Sequence, residues 1–233
     1  MTDTQLNELF LRLAEELDIT DTLFDRAEKS YEALGEYIGN NCRYPVEIYT
    51  QGSFRLGTVV RPLSEEDEFD LDLICEISNG KSIDAQNVKM LVGDILRNSA
   101  RYSSKLEEKK RCWRIEYSDK AQFHMDITPA KPDILKPPSI EVTHKNENGL
   151  YSFSPSNPKG YEEWFVKRKR VGVVEKIFAS ESASIEPVKE YKHKLTLQRA
   201  IQVLKRHRDK MFEDNSDDAP ISINYYYAHR SRI

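Results

Sequence analysis

Three aspartates and a glycine–serine pair carry the chemistry this sequence offers. Asp70 and Asp72 stand two apart in Glu68-Phe69-Asp70-Leu71-Asp72-Leu73-Ile74-Cys75, where apolar and acidic residues alternate. A period of two is the pattern of a strand with one buried face. It puts both carboxylates on one side and Phe69, Leu71 and Leu73 on the other. Like charges side by side repel, and a divalent cation between them removes the repulsion. Hard Mg²⁺ takes carboxylate oxygens together with substrate phosphates and waters. Asp126, in Phe123-His124-Met125-Asp126-Ile127, supplies the third acid of a two-metal site. Upstream, Gly52-Ser53 follows an apolar strand containing Val46 and Ile48. Gly52 permits a tight turn and close backbone approach to a ligand. Ser53 adds a hydroxyl, and exposed amides in such a turn suit a triphosphate. From the acids alone, a solvated acidic strand face or a structural Ca²⁺ site stays open.

The longer strings narrow the reading. Gln51-Gly52-Ser53-Phe54-Arg55-Leu56-Gly57, then the Asp70/Asp72 strand, then Phe123-His124-Met125-Asp126-Ile127-Thr128-Pro129-Ala130 follow in order. Lys159-Gly160-Tyr161-Glu162-Glu163-Trp164-Phe165 and the run Leu197–Asp209 come later. Together they resemble the DNA polymerase β-type nucleotidyltransferases, and within them the bacterial CD-NTases. Those are cyclic-oligonucleotide synthases of anti-phage signalling, related to cyclic GMP-AMP synthase and oligoadenylate synthase. The resemblance runs over roughly residues 5–222.

The resemblance implies an α+β fold: a polymerase β-like core with a mixed β-sheet, a long N-terminal helical spine and an incomplete C-terminal helical lobe. The corresponding divisions are 1–45, 46–170 and 171–233. It implies two Mg²⁺ or Mn²⁺ ions on Asp70, Asp72 and Asp126, with Asp126 also the proton acceptor. A 3′- or 2′-hydroxyl of one nucleoside triphosphate would attack the α-phosphate of another. Ser53 and the Gly52 amide would meet the β- or γ-phosphate, with Gln51 beside them. Lys205 matches by position a lysine directed at the donor triphosphate, and Ser222 the serine that follows it. Arg55 and Arg61 have two readings, phosphate contact or ion pairs with the acidic loop. His124 and His207 read as structural, since this chemistry needs no histidine.

Composition bounds the alternatives. At 233 residues, 39% hydrophobic and 32% charged, the chain is one large domain or two lobes. A net charge of −4 gives no global basic field, so neither DNA nor RNA is expected as an obligate partner. It also argues against a tRNA-modifying nucleotidyltransferase. Three scattered cysteines, Cys42, Cys75 and Cys112, indicate neither a zinc site nor a disulfide framework. No signal peptide and no membrane-length apolar run are evident, so the expected compartment is the cytoplasm, with no membrane partner.

Around the site, amphipathic helices are expected at 2–17 and from 21 to about 38, both with core-facing stripes. A strand at 46–50, a helix at 84–98, a strand at 112–117, a turn at Asp119-Lys120 and a strand at 122–128 follow. Residues 129–158, rich in Pro, Asn and Ser, read as a long loop. A short helix at Lys159–Arg170, a polar linker at 180–190 and a helix from Lys194 to Phe212 complete the pattern. The last carries the stripe Leu197, Ala200, Ile201 and Leu204.

The end of the chain departs from the resembled pattern. Residues 224–233, Asn-Tyr-Tyr-Tyr-Ala-His-Arg-Ser-Arg-Ile, show no helical stripe. The resemblance leads one to expect a Thr-rich helix start there. Codons for Asn-Tyr-Tyr-Tyr-Ala, read one base over, can encode Ile-Thr-Thr-Thr-Leu. A truncated or frameshifted C-terminus is therefore expected, with an unpacked tail and self-association through the uncovered helix stripe. The competing function is a remnant that binds nucleotide or a regulatory protein partner without turnover.

Overall fold

In the computed structural model, residues 2–64, 67–78, 83–117, 122–169, 183–189, 191 and 194–212 are described. Ser222, the 224–233 tail and the Asp119-Lys120 turn lie outside them. In chain order the elements are helices α1 (Asp3–Glu16) and α2 (Asp21–Asn41), strand β1 (Val46–Thr50), helix α3 (Gly52–Leu56), strand β2 (Phe69–Ile77) and helix α4 (Ala85–Arg97). Strands β3 (Leu106–Glu108), β4 (Trp113–Glu116), β5 (Phe123–Pro132), β6 (Ile140–Lys145) and β7 (Tyr151–Ser156) follow. Helix α5 (Pro158–Lys169), strand β8 (Ala183–Ile185) and helix α6 (Thr196–Met211) come last.

One mixed sheet runs β3-β4-β5-β2-β1-β8, with β6 on β5 and β7 on β6. β2 pairs antiparallel with β1 and parallel with β5, so the two acid-bearing strands are direct neighbours. Their alternation behaves as the sequence dictates. Phe69, Leu71 and Leu73 of β2 and Phe123, Met125 and Ile127 of β5 enter the core beneath α2 and α4. Gly93 of α4 lets the Trp113 indole lie flat on the helix, because a Cβ there would sit 2.2 Å from the ring. The indole N–H donates to the Lys89 carbonyl at 2.9 Å.

Three expectations are corrected. Residues 129–158 are not a loop: β5 extends to Pro132, and β6 and β7 form a hairpin. The register of β5 with β4 stops at Ile127 and that with β6 begins at Ala130, skipping Pro129, which has no N–H for the ladder. The α1 stripe is not core: Leu6, Leu9, Phe10 and Leu13 are exposed, whereas Ala14 is buried. By contrast Leu23, Ala27, Tyr31, Leu34 and Ile38 of α2 are buried as expected. The polar linker carries β8, which joins β1 in parallel.

Helix α6 seats itself through polar side chains. Gln198 Nε2 donates to Leu56 O at 2.8 Å, Gln202 Nε2 to Val59 O at 2.7 Å and Lys205 Nζ to Thr58 O at 3.2 Å. Their spacing of four and three puts all three on one helical face. That face is tied to the carbonyls of the segment after α3. Of the expected apolar stripe, Ile201 is buried against Leu56 and Phe165, while Leu204 is exposed. Among the described residues no helix is long and apolar enough to cross a membrane.

Candidate active site

The site is built on two rows of side chains that cross three strands on the face opposite the apolar one. The register β4–β5–β2 aligns Arg114 with Asp126 and Asp126 with Asp72. Two residues away, it aligns Glu116 with His124 and His124 with Asp70. The three predicted acids are therefore brought together on one face by alternation and register alone.

Each outer acid has a cationic neighbour. Arg114 forks onto Asp126, Nε to Oδ1 and Nη2 to Oδ2, both at 2.8 Å. His124 Nε2 lies 2.6 Å from Asp70 Oδ1, and its Nδ1 lies 3.0 Å from Glu68 Oε2. Burial would lower the His124 pKa, but contact with Asp70 and Glu68 carries it to about 9. The same contact holds the Asp70 carboxyl below its usual range, against burial. Among the described residues, no cation pairs directly with the Asp72 carboxylate. Burial, then the charges of Asp70 and Asp126, push its carboxyl up to about 7. An acid driven up by its like-charged neighbours is the signature of a place where a cation belongs.

The glycine–serine turn closes on the same acid. Gln51 N–H donates to Asp72 O at 2.8 Å, extending the β1–β2 ladder. Gly52 adopts φ of +59°, and a Cβ there would lie 2.5 Å from Asp72 Oδ2. Both the left-handed backbone and the close approach require glycine. Ser53 follows in α3, whose neighbouring residue Phe54 is stacked between Phe24 and Phe69 at centroid distances of 5.4 and 6.4 Å. From α6, Lys205 faces the acids. Burial, then Arg208, lowers its pKa to about 8, while Asp70 and Asp72 oppose the shift.

Hard carboxylate oxygens on a shared face, one of them uncomfortable when ionised, fit a divalent cation. A second group, Glu68, Glu116 and His124, gathers its donor atoms within 4.8 Å of one another. There the imidazole has a carboxylate oxygen near each nitrogen, an arrangement that favours its charged form over a metal ligand. His124 is therefore part of the site, contrary to its reading as merely structural, and Arg114 was missed altogether. The signal for His124 was its parity with Asp126 along one strand, whereas Arg114 depends on the β4–β5 register. Arg55 pairs not with the acidic loop but with Glu162 and Glu186, at 2.6 and 2.7 Å. Arg61 donates to Asp18 O at 2.9 Å.

Comparison with known proteins finds a domain match, relatives and a shared fold. Residues 46–129 match the family model described as the nucleotidyltransferase domain of cyclic GMP-AMP synthase DncV-like proteins. The c-di-GMP synthase of Roseivirga ehrenbergii is 32% identical over 230 residues, which are 94% of this chain and 58% of that protein. The cyclic dinucleotide synthase CdnG of Bradyrhizobium diazoefficiens is 24% identical over 243 residues, 94% of this chain and 56% of that protein. The chain thus spans a little over half the length of these relatives. The structure of the Bradyrhizobium diazoefficiens CD-NTase CdnG in complex with GTP shares the fold, with a TM-score of 0.68 at 21% identity. It covers 98% of this chain and 71% of that one. In its matched domain, its relatives and its polymerase β-like fold, the chain is similar to the bacterial CD-NTases.

Proposed function

We propose that this chain carries the catalytic region of a metal-dependent nucleotidyltransferase that joins nucleoside triphosphates into cyclic dinucleotides. The observation that carries the reading is the half-buried Asp72, in register with Asp126 and two residues from Asp70, raised to about 7 and covered by the Gly52 backbone. Asp70, Asp72 and Asp126 would hold two divalent ions. Bound there, the ions would activate the attacking hydroxyl and neutralise charge on the α-phosphate and the leaving pyrophosphate.

The chain's own residues position the reactants. The Gly52-Ser53 turn would present its amide and hydroxyl to the triphosphate, with Gln51 fixing the turn to β2. Lys205 would approach the phosphates from α6, and its tie to Thr58 O keeps helix and turn in one unit. Ser222 is carried only by the resemblance. Both oxygens of Asp126 accept from Arg114, and Asp126 would serve as a metal ligand and as the acceptor of the hydroxyl proton. Catalysis of this kind is positioning plus electrostatics. The relatives' products suggest GTP as a substrate, and the resemblance suggests a role in anti-phage signalling with Mg²⁺ as the working ion.

The test is incubation of the chain with labelled nucleoside triphosphates, singly and in pairs, with Mg²⁺ or Mn²⁺. A phosphatase-resistant product, lost in Asp72→Asn, is expected. Nucleotide binding without product would favour a binding remnant. No binding of GTP or ATP even at millimolar concentration would overturn the proposal.

A further inference from the structure

We propose that Arg114 is a positioning residue that sets the carboxylate of Asp126 for metal binding. The proposal rests on the nucleotidyltransferase reading above. It starts from topology: β5 lies between β4 and β2, and the row Arg114–Asp126–Asp72 crosses all three. Asp126 therefore has a neighbour on each side within its row. On the β4 side the guanidinium takes both oxygens at 2.8 Å. On the β2 side stands Asp72, which repels it.

The fork does two things that a point charge cannot. It fixes the plane of the carboxylate, because two parallel N–H···O bonds leave no free rotation. It also places a permanent positive charge beside the acids, since a guanidinium does not lose its proton in proteins. An ionised carboxylate offers about four lone-pair sites, and a bidentate arginine uses two. The Cys112 thiol reaches the same carboxylate, and what is left faces a cation approaching from the β2 side, where Asp70 and Asp72 lie. Arg114 thus holds its ligand from behind without taking the cation's place. The pair is mostly shielded from water, with side chains 25% and 14% exposed, so the orientation is not averaged away.

The alternative roles are a cross-strand ion pair that only stabilises the sheet, or a competitor that must leave before metal binds. The three roles predict different metal affinities. The experiment is titration of the metal-free chain with Mn²⁺ alone, followed by electron paramagnetic resonance, for wild type, Arg114→Met and Arg114→Lys. Removing a group that orients a metal ligand costs roughly 10- to 100-fold in affinity, and that weakening is expected for Arg114→Met. Arg114→Lys keeps the charge and most of the stem but loses the fork. It is expected to fold as wild type and still to bind Mn²⁺ more weakly.

Wild-type Mn²⁺ affinity in both variants, with only a lower melting temperature, would overturn the proposal in favour of a cross-strand pair. Tighter Mn²⁺ binding in Arg114→Met would overturn it in favour of a competitor. Full rescue by Arg114→Lys would show that charge, not the fork, matters, and would overturn it too. If the wild-type chain binds no Mn²⁺, the metal-site reading itself fails, which is a different result from any change confined to the variants.

Discussion

Helix α3 lies between two groups of charges that are built on opposite rules. Behind it, Arg55 pairs with Glu162 and Glu186, Lys189 with Glu162, and Lys159 with Glu47 and Glu186. Three cations there face three carboxylates. The Arg55 and Glu162 side chains are only 7% and 8% exposed. In front of α3, Asp70, Asp72 and Asp126 share a face with Glu68 and Glu116, and among the described residues Arg114, His124 and Lys205 answer them. The rear group pairs all three of its cations with carboxylates, and the neighbouring Glu76, raised by burial, accepts from the Tyr49 hydroxyl at 3.1 Å. The front group leaves Asp72 as an acid without a counter-charge beside it, which is a poor way to stabilise a fold and a good way to receive a cation. The difference teaches which buried charges serve structure and which serve chemistry: pairing, rather than burial, separates them.

The comparison is broken most easily at its rear half. Arg55→Met leaves Glu162 buried beside a lost partner and should cost about 3–5 kcal/mol in urea unfolding. A loss below about 1 kcal/mol would mean the rear group is not the fold's anchor for α3. The front half should respond in the opposite sense. Asp72→Asn should lower cyclic dinucleotide formation by roughly 10²- to 10³-fold, measured in a chain shown to turn over. The same substitution should raise stability by up to about 1 kcal/mol, because it removes like charge from a crowded row. Destabilisation by Asp72→Asn would put Asp72 with the structural charges.

A pH titration sharpens the contrast further. The Asp72 carboxyl is raised from 3.8 to about 7 in the folded chain, so between those values the folded state holds a proton that the unfolded state has lost. Stability of the metal-free chain should therefore fall as pH rises through that window. Asp72→Asn should remove this part of the slope, and added Mg²⁺ should oppose the loss in wild type. Denaturation midpoints with EDTA and with Mg²⁺, across the window, check both. The smallest effect belongs to the rim of the rear group. Lys189 is 23% exposed and shares Glu162 with Arg55. Lys189→Met should cost less than about 1 kcal/mol.

Much of this was legible beforehand because alternation is a local property. The parity of Asp70 and Asp72 against Phe69, Leu71 and Leu73 needs only the strand period, and it was right. The stripe of α2 was equally readable. The hairpin of β6 and β7 was not, since Pro132, Pro137, Pro138 and the asparagines around 146–148 hide two six-residue strands between turn signals. The seating of α6 was hidden for another reason: the helix is held by Gln198, Gln202 and Lys205, and carbonyl acceptors elsewhere in the chain leave no periodic trace.

The sequence by itself determined which side chains share a face: three aspartates away from the core, and a glycine where the turn must meet them. Only the tertiary structure decided which strands are neighbours and in what register. That choice placed Arg114 on Asp126, His124 on Asp70, and the Gly52 backbone against Asp72. The physical reason is that a strand's period is set by its own bonds, whereas its partner is set by which buried faces close over one core.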